Sequence, residues 1–180
     1  MSVPRVLAGT VVCVALAAAV LLAADLKVTP VITPDGKVVA SFTAPSAMTS
    51  DTREVVRSAV PVTFAFSVEL KRPATLWFDK TLGAATVQAK VKFDTLEGRY
   101  LVSKQLNDHV IWSDQTDSED QMRAWITQFD RIPIETRDPL EQNGEYYVQV
   151  KLHVSPRQHF PLWPFGRDDG SGRADFTFIH

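Results

Sequence analysis

Cys13 is the only cysteine of the chain and it lies inside an apolar run. The remainder can form no internal disulfide and has no thiol for catalysis or metal binding. Basic clusters are equally scarce. Lysines and arginines are interspersed with acids, the formal net charge is −2, and no Lys/Arg run occurs, which argues against nucleic acid as a partner. Local catalytic patterns are missing too. There is no Gly-x-Ser-x-Gly elbow, no His-Glu-x-x-His, no phosphate-cradling glycine loop with Lys and Ser/Thr, and no dinucleotide fingerprint. The sequence therefore points to a protein that is not an enzyme and holds no cofactor, and no catalytic or metal-binding residue is assigned.

Charge is absent from one further place. The run from Val6 to Ala24 contains no ionisable side chain apart from Cys13, and Arg5 precedes it. Such a segment addresses a protein to the membrane with its positive end left in the cytoplasm, so everything from Asp25 onward is expected to be carried across. The run falls between the roughly 20 residues of a spanning helix and the roughly 7–15 of a signal-peptide core. Ala17 and Ala19 fit a cleavage site but lie early, while Leu22 is large for a cut after Ala24. Residues 1–24 thus read as a signal peptide or as an N-terminal membrane anchor, and the localisation as the bacterial cell envelope, either periplasmic or anchored in the inner membrane. Cys13 follows Val11-Val12 in mid-run, which argues against a lipoprotein. Residues 25–180 suffice for one domain with a sizeable core.

The hydrophobic period in that domain is mostly two. Val62, Phe64, Phe66, Val68 and Leu70 alternate with polar or small residues, as do Val87, Ala89, Val91 and Phe93, and Tyr146, Val148, Val150, Leu152 and Val154. These patterns predict half-buried strands with a solvated face, hence an antiparallel sheet. Shorter candidates are Leu26–Ile32, Lys37–Phe42 after a turn at Pro34-Asp35-Gly36, Arg99–Lys104 and Asp175–Ile179. Two helices interrupt them. Ser50, Asp51 and Glu54 resemble the capped start of a short one. Ser118 with Gln121 forms a capping box for a second, whose stripe Met122, Trp125, Ile126 and Phe129 should lie on the sheet. The expected fold is mainly β: an antiparallel β-sandwich, immunoglobulin-like, with two short helices. A partly closed barrel shares the same alternation and stays open.

Remaining polar groups have structural readings. His109, His153, His159 and His180 fall at unrelated spacings, and a two-histidine metal site would need more convergent ligands. Asp114, Asp117, Glu119 and Asp120 are explained by capping and dipole complementarity. Asp168-Asp169-Gly170-Ser171-Gly172 lacks the spacing of a calcium loop and reads as a solvated turn. Aromatic residues are harder to dismiss. Phe160, Leu162, Trp163 and Phe165 sit in a proline-rich loop that cannot be a regular interior element. They either cap the core or dock on a protein or membrane surface. Trp77 faces outward if Leu76 and Phe78 face inward by alternation. Trp77, Phe160, Leu162, Trp163 and Phe165 are the candidate partner-binding residues.

Val60-Pro61-Val62-Thr63-Phe64, Glu69-Leu70-Lys71-Arg72-Pro73, Leu76-Trp77-Phe78-Asp79-Lys80-Thr81, Arg99-Tyr100, the capped helix and the late Tyr-rich strand together resemble a bacterial secreted family. It is a domain-of-unknown-function family of the DUF4390 type, whose members are often encoded beside sensor histidine kinases of the nitrogen-regulation type. The resemblance spans roughly Leu26 to Phe178. Where the family tends to carry a Trp-containing segment before the final strand, this chain has Gly170-Ser171-Gly172-Arg173. The resemblance implies no catalytic residues. It suggests an envelope sensor as partner of a non-catalytic interaction domain, with membrane contact through the N-terminal segment. Two alternatives stand beside this: a carrier of a small apolar ligand between sheets lined by Phe64, Phe66 and Phe93, and a hydrolase with an unrecognised site.

Overall fold

Alternation that is strict from Val62 to Leu70 gives the strand Val62–Arg72 one fully buried face. The computed structural model describes residues 26–74, 76, 78–136, 138–155 and 170–179. Among these, the chain runs β1 (Lys27–Ile32), β2 (Val38–Thr43), α1 (Ser50–Arg57), β3 (Val62–Arg72), β4 (Lys80–Asp94), β5 (Arg99–Leu106) and β6 (His109–Thr116), then α2 (Glu119–Thr127), β7 (Gln128–Ile134), β8 (Glu145–Ser155) and β9 (Gly170–Thr177). One sheet has six strands in the order β6-β5-β4-β3-β8-β9 and the other three in the order β1-β2-β7. Every pairing is antiparallel. The fold is a β-sandwich with two short helices, as expected. Among the described residues β6 and β9 do not pair with each other, so the large sheet does not close into a barrel.

The apolar faces predicted for β3, β4 and β8 form its interior. Phe64, Phe66, Val68 and Leu70 are wholly buried. Ala89 lies opposite Phe64 in β4, leaving room for the larger side chain. Phe42, Phe66 and Phe129 meet at ring separations of 4.8–5.1 Å and join the two layers. Met122 and Ile126 of α2 extend that second layer over β4, β5 and β6. The layers also touch along two seams. Gly83 of β4 forms a bridge with Thr136, and Gly172 of β9 lies against the Leu26 backbone.

Several details differ from the expectation. The α1 cap is Thr49, one residue before Ser50: its hydroxyl accepts from Thr52 N–H at 3.2 Å. The α2 cap is Ser118, which accepts from Gln121 N–H, but the reciprocal half of the box is rerouted. Thr116 Oγ1 takes the Ser118 N–H and donates to the Gln121 side chain at 2.7 Å. Phe129 does not belong to α2. Gln128 is already extended, with φ −118° and ψ 127°, so the helix passes into β7 without a linker. Gly170, Ser171 and Gly172 are strand rather than turn, because a glycine is what the Leu26 carbonyl can approach. β6 and β7 are not among the strands that the hydrophobic period predicts. In β7, Asp130 and Arg131 form a bulge opposite Ser41, whose hydroxyl donates to Asp130 at 2.6 Å and accepts from Arg131 N–H at 3.0 Å.

Candidate functional site

Pro73 cannot donate to the ladder and ends β3, while Lys80 restarts the chain as β4. Asp79 closes the segment between them: its carboxylate accepts the Ala74 N–H at 3.0 Å and the hydroxyl of Tyr147. Tyr147 lies on the outward side of β8, expected to be solvated, yet it is only 4 % exposed. The Arg173 guanidinium stacks 3.6 Å from its ring centre and is itself held by Asp175 at 2.6 Å. Lys71 on the adjoining strand bonds Glu69 and Gln149. Tyr147 donates a hydrogen bond to Asp79 and presents its ring face to Arg173, so the arrangement fixes the loop.

Two apolar residues of this loop, Leu76 and Phe78, are turned out. Leu76 is 87 % and Phe78 99 % exposed, which corrects the expectation that both face inward: the segment is a loop and not a continuing strand. Trp77 itself lies outside the described residues, as do Phe160, Leu162, Trp163 and Phe165. Ser155, where β8 ends, pairs with Thr63, whereas Tyr147 pairs with Lys71. β8 therefore ends, and the β3–β4 loop begins, at opposite ends of the large sheet. Exposed Ile179 follows the β9 end that pairs with Glu145, on the side of the β3–β4 loop.

The acidic stretch before α2 has a structural role. Glu119 lies 2.7 Å from Arg53 Nε and 2.6 Å from Arg57, tying α1 to α2. The Arg53 N–H is not aimed at the oxygen, so that contact is an ion pair without a hydrogen bond. His109 and His153 are exposed on β6 and β8, and His159 and His180 lie outside the described residues. Among the described residues no group of three or more His, Cys, Asp or Glu is placed to hold a metal. No helix of the described residues is long and apolar enough to cross a membrane, and residues 1–24 are not among them.

The Tyr147 hydroxyl, followed by the Ala74 N–H, holds the Asp79 carboxyl below its ordinary value of 3.8. The same bond raises the Tyr147 pKa. A carboxyl whose folded pKa is depressed contributes stability that is complete above pH 3.8 and is lost as pH falls through the lower folded value. Tyr147→Phe removes the larger cause, so Asp79 in the variant should titrate closer to 3.8. Carboxyl carbon shifts followed by NMR against pH would read this directly, and an unmoved titration would show that the latch does not form in solution.

A family model described as a domain of unknown function, DUF4390, matches residues 24–163. The chain belongs to the DUF4390 family. The match takes in every element from β1 to β8, including Asp79 and Tyr147, whereas Arg173 and Asp175 of β9 lie beyond it. Comparison with curated proteins and with solved structures finds no match. In this DUF4390 chain the Trp77-Phe78-Asp79-Lys80-Thr81 stretch stands out in the sequence, whereas the role of its aspartate does not. The partner, Tyr147, lies 68 residues on, and no local signal connects them.

Proposed function

We propose that this DUF4390 protein is an exported, non-catalytic component of the bacterial cell envelope that binds another protein, with the β3–β4 tip as its contact. The observation that carries the reading is the exposure of Leu76 and Phe78 on a loop whose base is pinned. Covering a large apolar side chain is worth about 1.5–3 kcal/mol, and the pinned base lowers the ordering cost of a contact there. The charged N-terminal flank and apolar run support export, and the family's gene neighbourhood suggests an envelope sensor kinase as the partner. The two alternatives draw less support. Phe66 packs against Phe42 and Phe129, and Phe93 against Tyr100 at 4.9 Å, where an inter-sheet ligand was to sit. The Tyr147–Asp79 pair is engaged in holding a loop.

A photoreactive residue in place of Lys80, in the full chain and the native envelope, tests the contact. A specific adduct should form and disappear in the Leu76→Ser, Phe78→Ser variant, whose thermal unfolding should match the wild type because both side chains are solvated. An adduct that survives this variant but is lost in Trp163→Ala, Phe165→Ala would move the contact to the proline-rich stretch. No adduct at all would overturn the reading.

A further inference from the structure

A cleft of about 780 Å³ opens between α2, β7 and the β1–β2 pair. Phe42, Trp125 and Phe129 give it an apolar lining, and Lys104 reaches it from β5. Lys104 lies opposite Trp112 of β6 and small Ala89 of β4. Its ammonium sits 4.7 Å from the Phe129 ring centre and 5.6 Å from that of Trp112, and it donates one N–H to the Gln128 carbonyl at 2.9 Å. An ammonium carries three donors. Among the described residues no carboxylate pairs with this one, and burial alone pushes its pKa down. Asp130, which also lines the cleft, is turned to the Ser41 hydroxyl. A half-buried cation without a counter-charge is costly, and aromatic faces compensate it only in part.

We propose that this cleft binds a carboxylate carried on an apolar or aromatic group. The carboxylate takes the open donors of Lys104, with the hydroxyls of Thr29 and Thr43 lining the same cleft, and the apolar part lies on Trp125, beside the nearly buried edges of Phe42 and Phe129. Lys27 and Asp130 also line the cleft. A small free acid and the C-terminus of a peptide both present this chemistry. The site is separate from the β3–β4 tip and stands without it.

The test is ¹H–¹⁵N NMR of the full chain titrated with 4-phenylbutyrate and with N-acetyl-alanyl-phenylalanine, each against its neutral counterpart, 4-phenylbutanol and the peptide amide. Saturable shifts are expected at the Gln128 and Phe129 amides and the Trp125 indole, stronger for acid than for neutral partner. A response to only one of the two acids assigns the source. Lys104→Met should weaken acid binding about ten- to a hundredfold, as for loss of a charge-assisted hydrogen bond, while Lys104→Arg retains it. The proposal is overturned if neither acid shifts these residues, or if the neutral partners bind the wild-type chain as tightly as the acids. That second comparison needs no variant, so it holds even if the methionine variant does not fold.

Discussion

Phe66→Ala should lower the stability of the protein by about 3–5 kcal/mol, the range for deleting a fully buried phenyl ring and leaving a cavity. Phe66 has no exposed surface, and its ring is the member of the Phe42–Phe66–Phe129 cluster that belongs to the large sheet. Its removal therefore takes contacts from both layers at once. Neither layer can collapse into the gap easily, because β3 is paired on both sides, with β4 and β8. Phe93 provides the comparison: it is only partly buried and, among the described residues, meets a single ring, that of Tyr100, so Phe93→Ala should cost clearly less. Equilibrium urea unfolding of the two variants measures the difference. Equal and small losses would mean that the inter-sheet space is not filled as described.

Gly172→Ala should destabilise by about 1–3 kcal/mol, the usual cost of forcing a group into a filled space. Replacing glycine by alanine in an extended strand would ordinarily help, since it reduces the freedom of the unfolded chain. Here the sign is reversed. A methyl carbon at this position would stand 2.3 Å from the Leu26 carbonyl oxygen and 2.7 Å from the Leu26 Cβ. The nearest obstacle is backbone, which cannot swing aside as a side chain can, so β1 must draw away from β9. Amide hydrogen exchange should quicken at the start of β1 while β3 keeps its protection. The exposed neighbour Ser171→Ala is the control and should be close to neutral. A Gly172→Ala variant as stable as the wild type would show that the two strands are not in contact there.

The strands that were legible are those whose alternation is unbroken. β3, β4 and β8 follow a period of two for most of their length, and burial enforces it on every inward residue. β7 escaped notice because the Asp130–Arg131 bulge, with Arg131 at φ 49°, spaces its buried residues as Phe129, Ile132 and Ile134. Two steps of unequal length do not read as a strand, and Phe129 happened to extend the helical stripe of α2. β6 was hidden in a similar way. Its register shift places Val110 and Ile111 side by side, both more than half exposed. A signal for that hairpin was nevertheless present: Asn107 and Asp108, at φ 46° and 68°, are residues suited to a two-residue turn with positive φ at both positions. The candidate site was half legible. Its aromatic stretch stood out, but a latch between Asp79 and Tyr147 depends on which strands become neighbours, and that is decided by the whole sheet.

The direct passage from α2 to β7 limits how chain length can vary within the family. An inserted residue between Thr127 and Gln128 would turn the helix by about 100° relative to the strand. It would also reverse which side of β7 faces the core. Met122 and Ile126 could then not remain buried together with Phe129, and no slack exists to absorb the change. Aligned relatives should show no gaps at this junction. Their length differences should gather instead in the segments between β3 and β4 and between β7 and β8, where a longer loop adds little closure entropy.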